Sequence, residues 1–301
     1  MDIHYCFREF LDYMASEKNA SKLTLGSYET DFNVFTNFLS IGGIEPRLCA
    51  MTTQVLRRYV SYLKLHKGYK TNTVRRKIHS ISSFFKYLLE TEYIEKNPML
   101  PIHAPKEEKH LPIYLKEHEL KRLLETPEKY ARFPEHRLRD KVMIELLVFT
   151  GARRSEVLSM DFDDIDFGKK TITIKKGKGN KQRVVPLIEP LASDLWEYLQ
   201  ERLPLSNKAI LVSDLGSRMS VSNFQTLFRR YLDKSGLGKK GYTIHKVRHS
   251  YASLLHQQGV DIISIKELLG HEDLNSTKIY THTTVNHLRK QVEKFPLSIG
   301  N

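Results

Sequence analysis

The residues of this chain best suited to chemistry lie near its end: His245-Lys246-Val247-Arg248, then Leu268-Leu269-Gly270-His271, then Ile279-Tyr280-Thr281-His282. His245 and Arg248 are three apart in a stretch of helical periodicity, so both project from one face. Tyr280 follows His271 by about one short helix. An arginine fork matches phosphate oxygens bidentately, a histidine donates or shuttles a proton, and a phenol can become a covalent nucleophile. Together they read as a phosphate-binding site with a tyrosine placed to attack it, the equipment for metal-free cleavage of a DNA strand.

Two upstream segments could complete such a site. Thr150-Gly151-Ala152-Arg153-Arg154-Ser155-Glu156 opens a helix after a glycine break, which puts Arg153 near the positive end of a helix dipole with Glu156 one turn on to orient its guanidinium. Taken alone, an Arg-x-x-Glu pair is more often a surface ion pair at a helix start. Lys176-Gly177-Lys178-Gly179-Asn180-Lys181 reads as a hairpin tip, where two glycines let Lys178 approach a ligand closely. Alone, it is an ordinary solvated turn. It lacks the Gly-x-x-x-x-Gly-Lys-Ser/Thr spacing of a nucleotide-binding loop.

The elements that must position these residues fall into two parts, and 301 residues suffice for two cores. Residues 1–96 read as a helical domain with four helices between 3 and 95. Their apolar positions recur at helical spacing: Phe7, Phe10 and Met14; Tyr28, Phe32, Phe35 and Leu39; Leu56, Tyr59 and Leu63; and Val74, Ile78, Ile81, Phe85 and Leu88. Residues 97–112 hold Pro98, Pro101, Pro105 and Pro112 around the charged run 106–110, a composition suited to an extended linker. Residues 113–301 are mixed. Helical patterns cover 116–126 and 137–160, two strands of a hairpin alternate at 171–175 and 182–185, and helices dominate from 189 onward with a strand at Ile210-Leu211-Val212. The fold class expected is mainly α, a helical domain plus a mixed α+β domain with a small hairpin or sheet.

Composition narrows the partner. A formal net charge of +13 and a pI near 9.5 point to a polyanion, nucleic acid or an acidic membrane. The start of the chain lacks the apolar core of a signal peptide, and no run approaches membrane-spanning length; the longest apolar stretch, 143–149, is broken by Glu145. Cys6 and Cys49 are too few for a disulfide framework, as expected of reduced thiols in the cytoplasm. Residues 46–89 contain ten lysines and arginines and no acid, interleaved with Tyr59, Tyr62, Tyr69 and Tyr87. Ordinary solvated faces mix signs, so Arg57, Arg58, Lys70, Arg75, Arg76 and Lys77 are the expected DNA-phosphate contacts. Asp161, Asp163, Asp164 and Asp166 could suggest catalytic magnesium, but four aspartates between a helix and a strand are more simply turn and capping residues. His271, His282 and His287 lack the partners of a tetrahedral zinc set, and no metal is expected.

Taken in order, Arg153, Lys178, His245, Arg248, His271 and Tyr280 resemble the arrangement of the tyrosine site-specific recombinases, the lambda-integrase family, and most of all its Xer-type members. The resemblance rests on five segments in the right order: Thr-Gly-Ala-Arg-Arg-Ser-Glu, Lys-Gly-Lys-Gly-Asn-Lys-Gln-Arg, His-Lys-Val-Arg-His, Leu-Leu-Gly-His and Ile-Tyr-Thr-His. It is strong over about 113–290. The helical part matches the family's core-binding domain in size and pattern only. The first segment has two arginines where the family usually has one; the Arg-x-x-Glu register selects Arg153 and leaves Arg154 structural. Val247 stands where leucine is commoner, a packing change.

The resemblance implies that Tyr280 attacks a phosphodiester to give a 3′-phosphotyrosyl link and a free 5′-hydroxyl. Arg153 and Arg248 would clamp the nonbridging oxygens, His245 would act as base, Lys178 would protonate the leaving oxygen, His271 would hydrogen-bond the phosphate and Glu156 would support the site. The bond energy is kept in the link, so no cofactor is implied. The family also implies a two-domain clamp on double-stranded recombination sites. Four protomers, identical or of two kinds and with possible accessory proteins, would exchange strands through a Holliday junction, for dimer resolution or for integration and excision of a mobile element. Two rival functions remain at this stage. A type IB topoisomerase would relax supercoils without a specific site, and a DNA-binding regulator with a lapsed site would bind without cleaving.

Overall fold

The computed structural model of the chain describes residues 1–106, 113–175, 182–204 and 206–270. The chain divides into two compact units, Met1–His110 and Leu111–Asn301.

The first unit is built on four helices. Asp2, Ser21 and Thr52 begin α1 (Ile3–Ser16), α2 (Lys22–Ile41) and α3 (Thr53–Ser61) by accepting amide hydrogens of the first turn with their side chains. Each such cap contributes about 1 kcal/mol. α3 runs into a π-helical turn at Tyr62–His66, and α4 spans Thr71–Glu90. The apolar stripes meet in an aromatic core in which Phe7 stacks on Phe32 at 3.7 Å and meets Phe84 edge-on at 5.4 Å. The expected linker begins later than its prolines suggest. Met99 is buried in this core, Ile102 and Ala104 pack against it, and Arg75 donates to the Pro105 carbonyl.

One of the expected DNA contacts is corrected. Lys77 lies on the 74, 78, 81 face of α4 and is buried, 3% exposed, with Nζ 2.8 Å from Asp31 Oδ1 and 5.3 Å from the Tyr69 ring centre. A core holds an ammonium only when it is paired. Asp31 belongs to α2, outside the acid-free window, which is why the window concealed the pair. Arg76 also binds Asp31 at its half-exposed end, while Arg57, Arg58 and Lys70 are exposed.

In the second unit, α5 (Glu117–Tyr130) carries Pro127 in its last turn, so the helix runs past the residue that sequence patterning would make its end. α6 (Arg137–Thr150) is the central helix, buried almost all round and packed against α5, α8 (Leu191–Glu201) and α10 (Ile244–Gln257). The helical pattern over 137–160 is two helices, divided at the glycine break. α6 ends at Gly151, whose φ is +59°, and α7 (Arg154–Ser159) sets off anew. A Cβ at Gly151 would lie 2.6 Å from Tyr251 Cδ1, so glycine is required for both its dihedral and its size. The expected hairpin is present as β2 (Thr171–Ile174) and β3 (Arg183–Pro186), and a short β1 (Ile165–Asp166) adds a third antiparallel strand in the order β1-β2-β3. Ile172 pairs with Val185 and Ile174 with Arg183, so inward positions alternate along both strands.

Ile210 and Leu211 are buried and Val212 half-buried, but the segment is not a strand; it has only isolated bridges, Asp161 to Ala209 and Val212 to Arg218. A side chain and scattered backbone bonds, Ile210 N–H to the Met160 carbonyl and Met219 N–H to the Leu211 carbonyl, replace a continuous neighbour. The Arg202 guanidinium donates to the carbonyls of Asn207, Ala209 and Ile210, which satisfies the backbone groups a second strand would take. The four aspartates have separate structural partners: Asp161 pairs with Arg218, Asp163 with Lys208, Asp164 with Lys175, and Asp166 with Lys169. α9 (Val221–Lys234) and α11 (Ile262–Leu269) complete the described residues of this unit.

Candidate active site

The break after α6 delivers Arg153 beside a buried carboxylate. Arg153 precedes α7, and Glu156 accepts both its backbone N–H at 2.8 Å and its Nη1 at 2.7 Å. Glu156 is 1% exposed, so this is no surface pair. It is also gripped by Arg183, whose Nη1 and Nη2 donate to its two oxygens at 3.0 and 2.9 Å. Burial pushes this carboxyl up, yet the bonds from Arg183 and Arg153 outweigh it and hold the group down at about 2. Glu156 is therefore ionised and fixes two guanidinium groups at once.

Arg183 also donates from Nε to the Leu268 carbonyl at 2.8 Å, tying the base of the hairpin to the end of α11. It is a site residue that patterning missed. The available signal was a charge on the inward side of a strand, in step with Val185.

Arg248 and His245 come from the first turns of α10, entered through Thr243, whose hydroxyl accepts the Lys246 amide. Arg248 is 2% exposed. Its Nη1 donates to the Gly151 carbonyl at 2.8 Å and its Nη2 to the Leu269 carbonyl at 2.6 Å, and Glu156 lies 3.9 Å away. His245 meets His249 edge-on at 4.7 Å. Burial lowers the His245 pKa, and the charges of Arg248, Lys246 and Arg153 lower it further, so at neutral pH the imidazole is free to accept a proton. Burial drives His249 down to about 4. The loop into α10 is anchored by a second buried carboxylate, Glu119, which accepts from Lys240 Nζ at 2.6 Å and from the Tyr242 hydroxyl at 2.9 Å.

Arg153, His245 and Arg248 line one cavity of about 430 Å³, with Arg154, Gln225, Arg229, Tyr242 and Thr243 also on its wall. The side chain of Arg154, expected to be structural, makes no hydrogen bond or ion pair among the described residues. Of the residues expected in the site, Arg153, Glu156, His245 and Arg248 are brought together; Lys178, His271 and Tyr280 lie outside the described residues. Among the described residues no cluster of three or more His, Cys, Asp and Glu could hold a metal ion, and no helix is long and apolar enough to cross a membrane.

Residues 114–287 match the model of the phage integrase family, and residues 7–92 match that of the phage integrase N-terminal SAM-like domain. The tyrosine recombinase XerC of Oceanobacillus iheyensis is 34% identical over 97% of this chain and 96% of its own length. The tyrosine recombinase XerD of Staphylococcus epidermidis is 30% identical over 95% and 97%. Among solved structures, the XerH site-specific recombinase in a post-cleavage complex with palindromic difH substrate superposes with a TM-score of 0.77 at 28% identity, over 92% of this chain and 81% of that one. A lambda integrase tetramer on a Holliday junction, at 18% identity and a TM-score of 0.74 over 93% of this chain and 77% of that one, shares the fold. With two arginines and a neutral histidine converging on one cavity, and with likeness to Xer proteins over nearly its whole length, this chain belongs to the phage integrase family and is a tyrosine recombinase, an enzyme of site-specific DNA cleavage and rejoining.

Proposed function

We propose that Tyr280 is the nucleophile of this recombinase and that the cavity of Arg153, His245 and Arg248 seats the phosphate it attacks. A phenol with a pKa of about 10 is a poor nucleophile at neutral pH, so its proton must be removed as it attacks. His245, with its lowered pKa, takes that proton. Arg153 and Arg248 hold the two nonbridging oxygens as charge gathers on the pentacoordinate phosphorus, and their guanidiniums are already fixed, so little reorganisation is needed. Lys178 gives a proton to the departing 5′ oxygen, and His271 hydrogen-bonds the phosphate. The new bond is the 3′-phosphotyrosyl ester and the broken one is the phosphorus–5′-oxygen bond; attack by a 5′-hydroxyl of the partner strand reverses the step and frees Tyr280.

The observation that carries this reading is the convergence of Arg153, His245 and Arg248, from two separate segments, on one cavity. Residues 1–96 would serve as the core-binding domain, with Arg57, Arg58 and Lys70 on DNA phosphates, and 113–301 as the catalytic domain. The protein would work in the cytoplasm as a tetramer of one or two kinds of recombinase on paired duplex sites, with or without accessory proteins. A suicide duplex that traps cleavage tests the chemistry: the wild type accumulates a covalent protein–DNA adduct, and Tyr280→Phe forms none while still binding the duplex. An adduct that persists in Tyr280→Phe rules this tyrosine out.

A further inference from the structure

We propose that Arg154 and Arg229 form a second anion seat in the same cavity, for the DNA phosphodiester next to the one that is cut. This rests on the reading that Arg153 and Arg248 take the scissile phosphate. Four arginines line the cavity: Arg153, Arg154, Arg229 and Arg248. Two of them have fixed partners, Arg153 on Glu156 and Arg248 on the Gly151 and Leu269 carbonyls. The carboxylate behind them, Glu156, is already shared with Arg183. The side chains of Arg154 and Arg229 have neither hydrogen bond nor ion pair among the described residues.

Charge counting decides the occupant. The four guanidiniums outnumber the one carboxylate behind them, which Arg183 also shares, so the wall carries at least three positive charges in excess, and one phosphodiester removes only one. Like charges gathered in a partly enclosed space repel, and the repulsion is relieved when a second anion enters. A DNA strand supplies that anion at a fixed spacing from the first.

The wall is shaped to present these groups. Gln225, Phe228, Arg229 and Leu232 of α9 follow one helical face. Phe228 and Leu232 are buried beneath it, while Gln225 and Arg229 are exposed and reach outward. Arg154 is the first residue of α7, next in the chain to Arg153, so its place is set by the same turn that sets the scissile-phosphate arginine. A planar fork suits a phosphate bidentately.

The test is equilibrium binding of the full chain to an uncut duplex site, run with Arg154→Gln and Arg229→Gln, together with duplexes carrying one uncharged methylphosphonate on either side of the scissile position. Each variant should weaken binding to the unmodified duplex about tenfold, the worth of a charge-assisted hydrogen bond, and lower the salt slope by about one. On one of the two methylphosphonate duplexes the wild type should lose a similar factor, and the variants should lose less than about twofold more. Equal losses on charged and neutral linkages would overturn the seat. So would a loss that follows the identity of a base pair instead, which would make these arginines readers of bases. Thermal midpoints within a degree or so of wild type confirm that the variants are folded. Binding needs no cleavage, so a wild type that binds with this coupling but forms no adduct refutes the Tyr280 mechanism and leaves the seat standing.

Discussion

At the scale of single residues, the site turns on Glu156. Its carboxylate accepts from Arg183 and Arg153 while buried, and removing one partner of such a network leaves the others uncompensated. Glu156→Gln keeps the shape and loses the charge; it should cost about 3–5 kcal/mol of unfolding free energy at pH 7. The sign with pH follows from a folded pKa of about 2, below the ordinary 4.5: the stabilisation is full above the ordinary value and is lost as pH falls toward 2. Urea denaturation at pH 7 and pH 3 should therefore show a wild-type advantage that shrinks in acid; a constant gap would mean that the charge is not what stabilises. The Arg153–Glu156 half of this network was legible because three-residue spacing is a rule of one helix turn. The Arg183 half was not, because nothing in the sequence states which face of a strand will meet which helix start.

At the scale of elements, the turn between α6 and α7 sets the geometry. Gly151 ends one helix in the left-handed region, and its neighbour Tyr251 leaves no room for a Cβ. Gly151→Ala should lose about 1–3 kcal/mol from backbone strain alone, with a further loss as Tyr251 is displaced. Since Arg153 lies two residues on, DNA cleavage by the variant should fall more than DNA binding does; parallel losses would argue against a positioning role for the turn. The glycine break was readable from the sequence, as were the strands at 171–175 and 182–185 and the four N-terminal helices. The segment 210–212 was misread because its carbonyls accept from Arg202, the Met219 amide and Arg139 instead of from one continuous strand, a tertiary substitution that a local pattern cannot display. Lys77 was misread for a related reason, since its partner Asp31 comes from another helix.

At the scale of the whole molecule, each unit has its own core, and the second contains a carboxyl that limits its stability at high pH. Glu145 sits in the buried helix α6 and faces Asp194 of α8, whose other neighbour is Lys141 at 2.7 Å. Burial first, and then the hydrogen bond and charge of Asp194, raise Glu145 to about 8, against the opposing pull of Lys141. A raised acid stabilises fully below its ordinary pKa and loses that contribution as pH rises through the folded value. The melting temperature of the second unit should therefore fall between pH 6 and pH 9. Glu145→Gln, which cannot ionise, should flatten that fall and melt higher than wild type at pH 9 by roughly 2–8 °C. Identical pH profiles for the two proteins would exclude Glu145 as the cause. The two-part division was visible in the prolines of 97–112, whereas the docking of Met99 was not, since a single methionine carries no period.

Arg248 binds the last carbonyls of α6 and α11 and so fastens together the two helix ends from which the site is hung. A gene copy that ceased to cut DNA would still need this side chain to fold, and the same holds for Glu156. Both would outlast the activity during decay. An inventory that counts relatives as working recombinases because they retain these two residues is therefore counting survivors of the fold. Arg153, whose side chain bonds only to Glu156 among the described residues, is the arginine whose loss would be the earlier sign of a silent descendant.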